Sequence, residues 1–335
     1  MDAAPPVSAE LLERVRALAA AGDYPGVVRL LQPVPRSALL TEPELGYHLA
    51  YAWRRVGRTA DALALTEALS RPVRRGASAW LIRRRLNLEA MLRFDHGDVP
   101  SAEQLWAEVV EHASVADDQQ LLAAAFNNLG IVLTLQDRID AALAVYNRAL
   151  LASRRLGDRR LMAQAHQNIA IVYRELGRPE EASTHFEQAL SEARRAGSED
   201  VRGRVEEERA LLMLESGDAP LAAATARRAL DRLEAIADLH GQGEALRVLG
   251  IVALHEQRAS DARGYLERAL ALALQGHNAL LEAETREGLA VLADREGSPA
   301  TAARERRRAT ARFAAMRAQP WGVRIRARTA ALTER

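Results

Sequence analysis

The sequence predicts an all-α chain, a right-handed α-solenoid of roughly eight helix-turn-helix units. Three observations carry this. Alanine recurs at positions 62, 102, 142, 182, 222, 262 and 302, a constant spacing of 40 residues. Twelve residues earlier stands a second small residue in every unit: Ala50, Ala90, Gly130, Ala170, Ala210, Gly250 and Ala290. Between the two lies a helix break, at Gly57, Gly97, Gly177, Gly217 and Gly297, with Asp137 and Gln257 in the remaining units. Pro100, Pro179, Pro220 and Pro299 follow these breaks closely. Glycine past the end of one helix and proline in the first turn of the next is the expected asymmetry. Small residues let paired helices approach, and Trp106, Tyr146, Phe186 and Leu266 fill the space beside them.

Taken in order, residues 1–7 are expected to be a disordered tail, and residues 8–77 two irregular repeats. Within these, "QPVPRS" (32–37) and "SRPVRRGA" (70–77) read as breaks. Residues 78–317 form the regular repeats 3–8, and residues 318–335 a C-terminal capping helix or tail, with Trp321, Ile325 and Leu332 covering the last pair. Arg209 and Ala226 stand where neighbouring units carry larger apolar groups, so the sixth unit is expected to pack loosely; Arg306 marks the eighth as an end unit. The stack is expected to be elongated, each unit touching only its neighbours.

Composition supports one packed, alanine- and leucine-rich body. Hydrophobic residues make up 48% of the chain but aromatics only 4%, so the small side chains carry the packing. The formal net charge is +1, which argues against a dedicated nucleic-acid binder. There is no cysteine, which excludes disulfides and thiolate metal sites. Every basic residue other than histidine is arginine, so a Walker-type phosphate loop and Schiff-base chemistry are excluded. No apolar run of about 18 residues and no signal-peptide pattern occurs, so no membrane association and a cytoplasmic location are expected.

Catalytic and cofactor motifs fail on inspection. "HEQRA" (255–259) opens like a zinc-protease helix, but Ala259 stands where a second histidine is required. "GQGEAL" (241–246) lacks the third glycine of a dinucleotide loop and follows no strand. The histidines show no ligand spacing, and pairs such as Glu180 and Glu181 suit a helix N-terminus. A non-enzymatic protein with no cofactor and no metal is expected.

"NNLGIVLTLQDRIDAALAVYNRALLASRRLGD" (127–158) and "QNIAIVYRELGRPEEASTHFEQALSEARRAG" (167–197) resemble the tetratricopeptide repeat, whose pattern falls on Ile169–Ala170, Tyr173, Gly177, Ala182, Phe186 and Ala189. The 40-residue form is similar to that of kinesin light chains, Pins-type adaptors and many bacterial regulators. The resemblance implies that the first helix of each unit lines a concave groove that binds a protein or peptide. Carried over by position, that groove is written by Arg84 and Asn87; Asn127, Asn128 and Thr134; and Gln164, Gln167, Asn168 and Arg174. It continues through Arg204, Glu207 and Glu208, then Glu244 and Arg247, then Glu284 and Glu287. Ile131, Ile171, Leu211 and Ile251 form an apolar ladder beside them. Asn128 and Asn168 match the asparagine ladder of the long-repeat adaptors, whose carboxamides bond a peptide backbone.

The implied function is a scaffold or adaptor holding a peptide or protein segment. The alternative is the sensor half of a bacterial regulatory system acting through a separate output protein, and self-association stays open. Nine arginines at 304, 306, 307, 308, 312, 317, 324, 326 and 328 form a basic end, a third candidate surface for nucleic acid that stands below the groove. That end is expected to lie far from the amides.

Overall fold

A computed structural model describes residues 9–70 and 78–333. The expected tail (1–7) and most of the second break (70–77) lie outside the described residues. Every described element is an α-helix. The first five are α1 (Ala9–Ala20), α2 (Tyr24–Leu31), α3 (Arg36–Thr41), α4 (Pro43–Arg55) and α5 (Thr59–Ala68). Six regular pairs follow: α6 (Ala79–Asp95) with α7 (Val99–Val115), α8 (Gln119–Leu135) with α9 (Ile139–Leu156), and α10 (Arg159–Glu175) with α11 (Pro179–Ala196). The last three are α12 (Glu199–Glu215) with α13 (Ala219–Ala235), α14 (Leu239–His255) with α15 (Ala259–Gln275), and α16 (Ala279–Arg295) with α17 (Pro299–Ala315). A final helix, α18 (Gln319–Thr333), stands unpaired.

Two turns alternate along the stack, and both are local in origin. Inside a unit, one residue in the left-handed region ends the first helix, and the amide after it bonds back across the turn, as Arg178 N–H does to the Tyr173 carbonyl at 2.9 Å. This is the Schellman arrangement, which favours glycine; Gly57, Gly97, Gly177, Gly217 and Gly297 adopt it, as do Asp137 (φ 63°) and Gln257 (φ 58°). Between units a side-chain cap starts the next first helix. Asp118, Asp158 and Asn278 accept from the amides of Leu121, Leu161 and Leu281 at 3.0 Å, and Asp238 accepts from that of Gly241 at 3.2 Å.

The small residues sit where the period places them. Ala102, Ala142, Ala182, Ala222, Ala262 and Ala302 are fully buried. At Gly130 a Cβ would fall 2.3 Å from the Tyr146 ring, so the aromatic occupies the space that alanine fills in other units. The sixth unit is not hollow. Ala226 is fully buried, and Leu233 wedges between Gly203 and Gly241, within 2.6 Å of where either Cβ would stand. The bulk missing at Ala226 is supplied seven residues later.

First helices touch the first helices of adjacent units in series, α4 through α6, α8, α10, α12 and α14 to α16, and so form a continuous inner wall. α18 packs on α16 and α17 as a further first helix would, with Trp321 and Ile325 buried against Phe313 and Met316. The solenoid is not the elongated, neighbour-only stack that the period alone suggests. The Thr59 hydroxyl donates to the Gly276 carbonyl at 3.2 Å, and the His96 and His277 rings stack at 5.3 Å. A Cβ on Gly97 would stand 3.1 Å from that of Ala279 and 3.3 Å from Met316 Cγ. Each unit rotates slightly on its neighbour, and here the rotations bring the turns of residues 57–59 and 96–97 onto residues 239 and 276–279. Glycine and alanine at this meeting leave little bulk to hold the turns apart.

Candidate functional site: the inner wall

The residues expected to line the groove do lie on successive first helices, but they divide into three groups. Those nearest the helix centres fall at 87, 127, 167, 207, 247 and 287, again 40 apart. Asn87, Asn127, Glu207, Arg247 and Glu287 of this row are buried. The neighbouring row, with Asn128, Asn168 and Glu208, is half-buried. Asn168 Nδ2 donates to Asn127 Oδ1 at 3.4 Å, so the amides meet across the two rows rather than within one. Asn127 keeps a buried Nδ2 with no hydrogen-bond partner. Gln164 and Gln167 are half-buried on α10 beside them.

Two expected residues turn elsewhere. Asn87 Oδ1 accepts from the Trp106 indole at 3.2 Å, which ties it to the second helix of its own unit. Thr134 donates to the Gly130 carbonyl at 2.8 Å and lies 3.5 Å from the Tyr146 hydroxyl, inside the same pair. Both serve packing, because the large aromatic brings a polar atom that needs a partner. Arg84 sits at the opposite end of the wall from Arg174, over the start of α8, where it donates to Gln120 at 3.1 Å and lies 3.5 Å from Asp118. Arg204 pairs with Asp200 at 2.7 Å.

From α10 onward the wall is ionic and buried. Arg174 meets Glu208 at 3.0 Å, Glu215 at 3.1 Å and Glu175 at 3.2 Å. Arg247 meets Glu244 at 3.1 Å, Glu284 at 3.3 Å and Glu207 at 3.9 Å. Burial opposes charge on both guanidiniums, yet Glu208 and Glu215 around Arg174, and Glu284 and Glu244 around Arg247, hold them more firmly protonated than usual. The carboxylates outnumber these two arginines. Burial, with Glu208 and Glu244 nearby, therefore pushes Glu207 well above the carboxylate range, and Glu207 Oε1 is buried with no hydrogen-bond donor. Burial likewise pushes Glu284 up to about 7, against the pull of Arg247 and with Glu244 adding to it.

A further set of contacts, made by α18, was missed by reading the sequence as a row of separate units. α18 crosses the ends of the first helices. Arg324 pairs with Asp137 just past α8, Arg328 with Glu175 at the end of α10 and with Glu215 at the end of α12 (3.2 Å), and the Leu332 carbonyl accepts from His255 Nδ1 at 2.6 Å at the end of α14. Positions 324, 328 and 332 lie four apart, so one helical face meets four consecutive first helices. Arg326 pairs with Glu287 at 2.6 Å and the Trp321 indole donates to Glu284 at 2.6 Å. The C-terminal end is therefore not remote from the amides: α18 touches α8, which carries Asn127 and Asn128. Seven of the nine clustered arginines (304, 306, 308, 312, 324, 326 and 328) meet carboxylates. The signal in the sequence was the i, i+4 spacing, but its partners are up to 187 residues away.

A cleft of about 460 Å³ between α15, α16 and α17, lined among others by Arg263, Leu289, Thr301 and Glu305, includes none of the expected groove residues. No described helix is long and apolar enough to cross a membrane.

With this geometry in hand, comparison with known proteins is informative. A tetratricopeptide-repeat model matches residues 121–195 and 161–235, the segment that spans α8 to α13. Those residues match tetratricopeptide repeats. A search of curated proteins found no match. Among solved structures, a Rap protein complexed with competence and sporulation factor is similar over 97% of this chain and 98% of its own, with a TM-score of 0.62 at 14% identity. The apo form of RapI is similar over 82% of this chain and 98% of its own, with a TM-score of 0.60 at 12% identity. A Rap conjugation gene regulator of plasmid pLS20, in complex with the Phr* peptide, is similar over 87% and 96%, with a TM-score of 0.57 at 13% identity. At these identities the likeness is one of fold. The helix-pair packing and the continuous inner wall extend the fold of the matched repeats over the other regular pairs.

Proposed function

We propose that the chain is an adaptor whose inner wall holds a peptide or protein segment, with Asn127, Asn168 and Gln167 as backbone-reading amides. The observation that carries this reading is the unspent Asn127 Nδ2, a buried donor on the wall with no partner in the chain. A buried amide left unbonded costs about 1–3 kcal/mol, and a bound carbonyl would satisfy it. An amide both donates and accepts, so it can stand in for a neighbouring strand. The similar fold of Rap proteins, two of them in complex with a competence and sporulation factor and with a Phr* peptide, supports a peptide as the occupant. It also favours, as a second reading, a regulatory component that acts through a separate output protein.

The test uses the full-length chain to capture a partner from a host extract, followed by affinity measurement with the purified partner. Changing Asn127→Ala and Asn168→Ala together should weaken binding about 5- to 150-fold, two hydrogen bonds at about 0.5–1.5 kcal/mol each. Unchanged affinity in a normally folded double variant would remove the amides from the site.

A further inference from the structure

We propose that α18 is a resident occupant of the wall, and that the external partner is a basic segment with arginine or lysine four residues apart, which competes with α18 for the same carboxylates. This rests on the groove reading above and specifies the chemistry of the occupant.

Three observations lead here. First, the contacts of α18 are those of a ligand as well as those of a cap. Its apolar residues Trp321 and Ile325 seal the last pair, but Arg324 and Arg328 reach away from that pair to Asp137, Glu175 and Glu215, on units four, three and two earlier in the chain. Capping needs none of these. Secondly, the acceptors lie at or just past the C-terminal ends of α8, α10 and α12, where the helix dipoles add negative potential to the carboxylates. A guanidinium is the side chain best suited to such a place, because it spreads its charge and donates several bonds in a plane. Thirdly, the wall remains acidic with α18 in place. Glu175, Glu207, Glu208, Glu215, Glu244, Glu284 and Glu287 face Arg174, Arg247, Arg326 and Arg328. Glu207 Oε1, buried on a residue only 3% exposed, has no hydrogen-bond donor and lies 3.9 Å from its nearest guanidinium. It is an acceptor that α18 leaves unused.

Ile325 and Leu332 bury one face of the strap, and its other face is open. Val323 is 66% exposed, and Arg326 is exposed despite its pair with Glu287. Its reach to Asp137, Glu175 and Glu215 is through charge, the part of its attachment that a second basic helix can exchange. An acidic segment gains no such contact and meets a wall of carboxylates.

The probes are two labelled synthetic peptides: residues 319–333 of this chain, and the same peptide with its three arginines replaced by glutamate. The proteins are the full-length wild type and the full-length Arg326→Gln/Arg328→Gln variant, with Arg324→Gln/Arg326→Gln as a second variant should the first not fold. Fluorescence anisotropy should show the arginine peptide binding either loosened variant about tenfold or more tightly than wild type, the worth of one lost charge-assisted bond. Binding should weaken steeply with salt, and the glutamate peptide should bind none of the proteins. Hydrogen exchange in residues 319–333 of the wild type should accelerate at saturating arginine peptide. Equal affinity for both peptides, or equal affinity of wild type and loosened variants, overturns the proposal. If the glutamate peptide instead protects α8 and α10 from exchange, the groove reading stands and the basic-partner inference falls. If neither peptide alters exchange on any first helix at millimolar concentration, both fall.

Discussion

The two halves of the regular stack share one backbone register and use it in opposite ways. In α6–α11 the middle of the wall is carboxamide, with Arg174 at the end of α10 reaching into the next half, and the gaps between helices are filled by Trp106, Tyr146 and Phe186. In α12–α17 the corresponding fillers shrink to Ala226 and Leu266, and the wall becomes a buried ionic network centred on Arg247 and fed by Arg174. The first half is held by packing and leaves polar capacity unused. The second spends most of its polar capacity on itself and on α18, with Glu207 Oε1 left over. A repeat thus fixes where a side chain stands, while the residue placed there decides whether the position is structural or available.

Arg247→Met should produce the largest effect. It leaves Glu207, Glu244 and Glu284 around an apolar side chain, and breaking a buried charge pair costs about 3–5 kcal/mol. Asn127→Ala in the other half removes a neutral amide already half unsatisfied, and should cost about 1 kcal/mol or less. Denaturant melts compare the two directly. Equal losses would mean that the ionic network is wet and that the halves do not differ.

Next in size is packing. Gly130→Ala places a methyl 2.3 Å from the Tyr146 ring, and a fully buried ring cannot step aside. Overpacking of this kind costs about 1–3 kcal/mol. Gly288→Ala meets the flexible ends of Leu266, at 3.0 Å, and of Ile251, at 3.5 Å, in the middle of α16. There the better helix propensity of alanine, up to about 1 kcal/mol, should offset the contact. Thermal melting should therefore fall for the first and hold or rise for the second.

The halves should also respond to pH with opposite sign. His166 lies 3.0 Å from His185, Nδ1 to Nδ1, and burial, helped by His185, pushes it down to about 4. Unfolded, it titrates near 6.5, so between those values the unfolded chain binds more protons and stability rises with pH. Glu284 is pushed up from 4.5 to about 7. Between those values the folded chain binds more protons, so its contribution is present below about 4.5 and is lost as pH rises through 7. His166→Gln should shrink the rising limb, to which His48 and His185, also pushed down by burial, contribute, and Glu284→Gln should shrink the falling one, measured as denaturation midpoints from pH 4 to 7.5. A Glu284→Gln chain that keeps the falling limb would assign it to Glu207 or Glu208, which burial also pushes up.

Much of this was legible in the sequence because it is local. The period, the helix pairs and the close-packed alanines follow from residues within one unit, so a fixed spacing exposes them. The positions along the inner wall could be listed for the same reason, since equivalent positions in a stack face the same way. What escaped depends on contacts that no period announces. Asn87 and Thr134 were expected on the wall, but Trp106 and Tyr146 carry polar atoms that claim them. Leu233 makes good the bulk missing at Ala226 because glycine stands at 203 and 241, on two different helices. The return of α18 to Asp137 depends on the summed rotation of all the intervening units, which a sequence does not display.

The smallest expected effect separates the halves at their turns. Asp137 and Gln257 occupy the left-handed position that glycine takes in the other units, with φ of 63° and 58°. A non-glycine residue there is strained by about 1 kcal/mol. Gln257→Gly should relieve that strain with little lost, because its side chain is exposed and makes no ion pair, and stability should rise by up to about 1 kcal/mol. Asp137→Gly relieves the same strain but removes the carboxylate that receives Arg324. An exposed pair is worth about 0–1 kcal/mol, so the two terms should nearly cancel and global stability should stay within about 0.5 kcal/mol. The pair should nevertheless show itself locally: hydrogen exchange in residues 319–326 should quicken in Asp137→Gly and not in Gln257→Gly. Matching exchange in both variants would mean that Arg324 does not anchor α18, and that the strap is held from Arg326 onward alone.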